Sequence, residues 1–162
     1  MRSNAHAGFT LVEILVVIAV IAIASTIVIV NLERDDRRMG LREASRLAGA
    51  LEHAASLAQW QGETLGISAE GSGYRFWRRG ADDRWATLSG DDVLAARILP
   101  APFTVAAATF AGAPVAADAI LPFRPSGRNE PYTLLLASPE WTLIVAADPL
   151  NRVQVAAQAA SR

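Results

Sequence analysis

The sequence predicts an α+β chain in which a long N-terminal helix packs on an antiparallel β-sandwich of two sheets. Three observations carry that expectation. Apolar residues run almost unbroken from Phe9 to Val30, and from Arg37 to Gln61 they recur at helical spacing. All eight prolines fall after Leu99, so nothing breaks a helix early in the chain. Beyond Gly62, short alternating segments are separated by turn residues, as strands are.

The first part of the helix is a candidate membrane span. In the 22 residues from Phe9 to Val30, only Thr10, Glu13, Ser25 and Thr26 are polar. As a helix this run is about 33 Å long, enough to cross a bilayer core. Arg2 precedes it, and in the following "NLERDDRR" three acids cancel three arginines. This bias keeps the N-terminus cytoplasmic and exports the rest. Glu13 needs a reason, since a carboxylate at bilayer depth costs about 2.5–3.5 kcal/mol.

Three readings compete for this segment. A cleaved secretory signal could use Ala22-Ile23-Ala24, but the apolar run continues well past that site. A plain anchor could begin at Ile14, with Glu13 snorkelling to the interface. Cleavage between Gly8 and Phe9 explains more. It would give Phe9 a charged α-amine, which opposes the helix dipole. Glu13, four residues on, lies one turn away on the same face and can neutralise that amine or a neighbouring helix's.

The second part of the helix carries Ala44, Leu47, Ala48, Leu51, Ala54, Ala55 and Ala58 on one face. Arg42, Glu43, Arg46, Glu52 and Gln59 fill much of the other, and His53 reads as a surface residue. Gly40 and Gly49 each weaken the helix by about 1 kcal/mol relative to alanine. Gly62 suits the residue just past the helix end. A break near residues 31–36 stays open.

Strands are expected at 64–69, 74–79, 85–88, 103–108, 119–123, 132–138, 141–147 and 152–156. "EGSG" at 70–73 marks a hairpin, Pro139-Glu140 a tight connection, and Pro149 and Asn151 a further turn. Segments 80–102 and 109–118 read as loops. No repeat or linker divides the β region.

Composition excludes several chemistries. All fifteen basic residues are arginine, so there is no lysine nucleophile or P-loop lysine. There is no cysteine, which removes disulfides, Cys-based zinc sites and thiol catalysis. His6 and His53 are the two histidines, and no catalytic or metal-ligand constellation stands out, so no enzyme and no cofactor is expected. Net charge is −1, which attracts neither nucleic acid nor anionic lipid. Tyr74 to Arg79 interleave rings and cations, as single-strand binders do. Alternation places Tyr74, Phe76 and Arg78 on one face and Arg75, Trp77 and Arg79 on the other, which fits a half-buried strand. Asp82, Asp83, Asp91 and Asp92 lack EF-hand spacing and read as a solvated acidic loop rather than a calcium site.

"GFTLVE" followed by an apolar helix resembles the class III leader of type IV pilins and type II secretion pseudopilins. The resemblance implies a type IV pilin-like fold and cleavage by a prepilin peptidase after Gly8. It implies N-methylation of Phe9 and an assembly role for Glu13, with Thr10 beside it. The segment "PFRPSGRNEPYTLLLASPEWTLIV" resembles the late hairpin of H-type minor pseudopilins through Pro125, Gly127, Pro131, Tyr132, Leu134 and Leu136. This implies a leader at 1–8, a transmembrane and assembly helix at 9–30, a periplasmic helix half at 31–62 and a β-rich domain at 63–162. It also implies an inner-membrane anchor. Implied partners are other major and minor pseudopilins, the prepilin peptidase, and the secretin and secreted exoproteins. The alternatives are a minor pilin of a type IV pilus, of a class implicated in DNA uptake, and a single-pass membrane-anchored periplasmic protein or enzyme. The mature chain would lose Arg2 and fall to −2, which disfavours DNA binding.

Overall fold

In a computed structural model of the full chain, the described residues are 11–116 and 118–160, with the backbone alone described at 24–34. Among the described residues one helix, α1 (Leu11–Gln61), is followed by ten strands. Helical backbone continues through 31–36, the stretch where the sequence leaves a break open. Residues 1–36 and 37–162 form two compact units.

In the second unit α1 lays its small-residue stripe into the core. Ala44, Leu47, Leu51, Ala54 and Ala58 are fully buried, joined by Ala50, which periodicity alone had not selected. Each fully buried leucine contributes about 1.5–3 kcal/mol. Gly62 ends the helix at φ +67°, and Glu63 N–H donates to Ala58 O at 3.2 Å. That bond satisfies a carbonyl the last turn would otherwise leave unpaired.

The strands are β1 (Leu65–Glu70), β2 (Gly73–Arg79), β3 (Trp85–Thr87), β4 (Arg97–Ile98), β5 (Thr104–Phe110), β6 (Ala113–Pro114), β7 (Leu121–Phe123), β8 (Tyr132–Ala137), β9 (Trp141–Ala147) and β10 (Val153–Ala159). The first sheet runs β3-β2-β1-β7, with β4 also on β2; the second runs β10-β9-β8-β5-β6. All pairings are antiparallel. The expected two-sheet α+β architecture is therefore present. β4 and β6 lie in stretches expected to be loops. Each is two residues long, too short for alternation to show.

Inner faces meet the helix stripe in a single core. Ile67 pairs Phe76 on one side and Leu121 on the other. Leu134 pairs Val145, and Leu136 pairs Leu143. Gly40 sits where α1 touches the core, because a Cβ there would run into the Phe103 ring and come 2.7 Å from Leu143 Cδ1.

Candidate functional site

The first turn of α1 contains Glu13, an acid at the end where the helix dipole favours one. Around it the side chains are aliphatic on every side and exposed: Leu11 81%, Val12 69%, Leu15 62%, Ile18 62%, Ile23 64%. A helix apolar all round belongs inside a bundle or a membrane. Gly8, Phe9 and Thr10, the residues expected to be cut, methylated and used in assembly, lie outside the described residues. Among the described residues no helix is long and apolar enough to cross a membrane. The expected span at 9–30 lies partly outside them, at residues 9–10 and in the side chains of 24–30.

The remaining candidates are tied up within the second unit. Tyr74 and Phe76 are buried, whereas Arg75 and Arg79 are exposed and Trp77 is half-buried, as alternation required, but Arg78, expected on the face of Tyr74 and Phe76, is exposed at the strand end. The cations meet partners on their own chain. Arg75 lies over Trp77 at 5.8 Å, and Arg79 over Trp85 at 5.7 Å. Arg78 pairs Glu63 at 2.9 Å, and Arg79 pairs Asp83 at 2.6 Å. The aspartates are dispersed in the same way. Asp82 lies 3.8 Å from Arg84, and Asp91 meets His53. Among the described residues no group of three or more metal-ligating side chains converges.

His53 is not the plain surface residue expected. Its Nε2 lies 2.8 Å from Asp91 Oδ2 and is half-buried. Asp91 Oδ1 accepts the N–H groups of Val93 and Leu94, at 2.9 and 3.2 Å. The hydrogen bond from His53, then those backbone donors, hold the Asp91 carboxyl below its ordinary value. This carboxylate clamps its loop to the helix. Glu43, assigned to the helix's polar face, instead forms a two-pronged pair with Arg97: Nε to Oε2 at 2.8 Å and Nη2 to Oε1 at 2.7 Å. Those bonds lower the Glu43 carboxyl despite its burial. No local signal announces a partner 54 residues away.

A buried asparagine pair fixes the loop before β8. Asn129 Nδ2 donates to Asn151 Oδ1 at 2.7 Å, and Asn151 Nδ2 donates to Gly127 O at 3.1 Å. Asn129 Oδ1 accepts Arg124 N–H at 2.7 Å. Asn151 holds φ +62°, a conformation asparagine tolerates better than most residues. The Pro-x-Gly and Pro-aromatic pattern at 125–132 is thus a loop held by side-chain amide hydrogen bonds.

Residues 3–29 match the prokaryotic N-terminal methylation motif. The chain is 33% identical over 103 residues to type II secretion system protein H of Aeromonas hydrophila, across 62% of this chain and 56% of that protein. With the protein of the same description from Escherichia coli K12 it shares 32% over 93 residues, 54% of this chain and 55% of that one. The chain thus spans about half the length of these curated relatives. The minor pseudopilin EpsH of the Vibrio cholerae type II secretion system superposes with a TM-score of 0.58 at 18% identity, over 74% of this chain and 94% of that one. That likeness establishes the pilin-like α+β fold.

Proposed function

We propose that this chain, which carries the methylation motif and shares the fold of a minor pseudopilin, acts as an H-type minor pseudopilin of a type II secretion system. The observation that carries the reading is the exposed, wholly aliphatic start of α1 with Glu13 as its acid. A folded domain has no use for such a surface, whereas a filament built by bundling helices needs it. The role is structural rather than catalytic. Through this helix the subunit joins other pseudopilins and helps initiate, cap or join the tip of the filament that drives export of folded proteins.

In this reading the chain anchors in the inner membrane with its N-terminus cytoplasmic and its β domain periplasmic. A prepilin peptidase cuts after Gly8, and Phe9 is N-methylated. Glu13 then neutralises a Phe9 amine, its own or a neighbour's, when the helices leave lipid. An unpaired charge would be costly to bury there, so pairing favours one axial register. Thr10 shares this assembly role. The domain boundaries follow: 1–8, 9–30, 31–62 and 63–162.

Intact-mass measurement of protein extracted from membranes tests this. A chain starting at Phe9 and one methyl heavier is expected, and Gly8→Val should accumulate uncut precursor. A mature chain starting at Ser25 would instead establish a cleaved secretory signal.

A further inference from the structure

We infer that the free edge of β10 is a docking site for an uncharged, extended segment of a partner protein, which adds to the second sheet as a sixth strand. Both sheets have ends, and most are blunted. β3 and β7 are three residues long, β4 and β6 are two, and Pro114 and Pro122 interrupt donation from β6 and β7. The outer side of β5 bonds Gly71 O and Val115 N–H and is kinked between Val105 and Ala107. β10 differs. It is seven residues, "VQVAAQA", with no charge, no proline and an unbroken register from Val153↔Ala147 to Ala159↔Trp141.

The pairing shows which backbone groups are free. Asp148 N–H donates to Arg152 O, and Ala160 N–H donates to Glu140 O. Even-numbered residues from 152 to 160 therefore face β9, and the odd-numbered ones point their N–H and C=O groups outward. At the start of the edge Val153 N–H is taken by Glu52 Oε1 of α1, at 3.0 Å. The N–H groups of Val155 and Ala157 have no acceptor among the described residues. Edges of this length normally carry a lysine, a proline or a bulge against stray pairing. This one carries none, and such an edge is what strand addition uses.

The chemistry of the edge selects its occupant. β10 itself carries no charge, and the Glu52 carboxylate at its start, already accepting Val153 N–H, repels an acid, so an uncharged segment meets most of the edge at the least desolvation cost. Ala156 and Ala157 are small, one on each face of the sheet, so the added strand has room for β-branched side chains on both faces. The fit is therefore to an uncharged, β-branched segment.

The probe is the peptide acetyl-Thr-Val-Thr-Val-Thr-Val-amide, added to the full chain in detergent micelles. Hydrogen exchange at the Val155 and Ala157 amides should slow by about tenfold or more, while Ala156 and Gln158, already paired to β9, change little. A glutamate-substituted peptide should bind more weakly. Ala157→Pro removes an outward N–H that β9 does not use, so it should leave folding intact and abolish the protection. Ala156→Pro should destabilise the sheet itself. Unchanged exchange at Val155 and Ala157 in the parent chain would overturn the inference, as would peptide protection surviving in Ala157→Pro. Slowing of the same amides with protein concentration alone would assign the edge to a second copy and overturn the partner reading.

Discussion

Gly40 and Gly49 lie on one helix and differ in what surrounds them. A methyl at Gly40 meets the Phe103 ring and Leu143, whereas at Gly49 nothing lies within 4 Å. Gly40→Ala should therefore destabilise by about 1–3 kcal/mol through overpacking. Gly49→Ala should stabilise by about 0.5–1 kcal/mol, the ordinary gain of alanine over glycine in a helix. Opposite shifts in the denaturation midpoint check both. Propensity treats the two glycines alike because it contains no tertiary contact. At the other end of the helix, Glu13→Ala should leave cleavage and the folding of the β domain unchanged. It should reduce crosslinking to neighbouring subunits and reduce secretion. Full secretion with normal crosslinks would remove Glu13 from assembly and leave it an interfacial residue.

Elements were legible wherever they were long. The helix stripe and eight of the ten strands follow from period alone, and "WTLIVAA" coincides with β9 end to end. What stayed hidden is nonlocal. Glu43 reads as a solvent-facing acid because its neighbours Arg42 and Arg46 are polar, yet its partner is Arg97, on β4. Arg97 is 32% and Glu43 14% exposed in side-chain terms, so water screens the pair only partly. Arg97→Met should cost about 1–3 kcal/mol by stranding a half-buried carboxylate. Arg97→Met with Glu43→Gln should recover part of that loss, which a double-mutant cycle in urea would read as coupling.

At the scale of the whole molecule, the carboxylates of Glu43 and Asp91 set an acid limit. Both sit below their ordinary values when folded, through Arg97 and His53 respectively. Their contribution is therefore complete above the unfolded values, about pH 4–5, and is lost as pH falls through the lowered folded ones. Urea midpoints should hold down to about pH 5 and drop below it, and Glu43→Gln with Asp91→Asn should flatten that drop. The motif behind the proposed site can be read without the fold, because "GFTLVE" and the apolar run are contiguous, and residues 3–29 match the methylation motif. The Asn129–Asn151 lock was not, since it joins residues 22 apart through side-chain amides that any loop could carry. The two ends of α1 also differ in the changes they tolerate. In the alanine stripe from Ala44 to Ala58, enlargement collides with the core and trimming to glycine loosens the helix, so substitution is constrained in both directions. From Leu11 to Ile23 the side chains are exposed and, Glu13 apart, aliphatic, so burial within this chain does not select among aliphatic residues there. One continuous helix is thus expected to accept substitution under two regimes. Glu13 apart, its first turns should accept exchange among aliphatic residues but not a change of polarity, and the buried stripe of its last turns should accept little exchange of either kind.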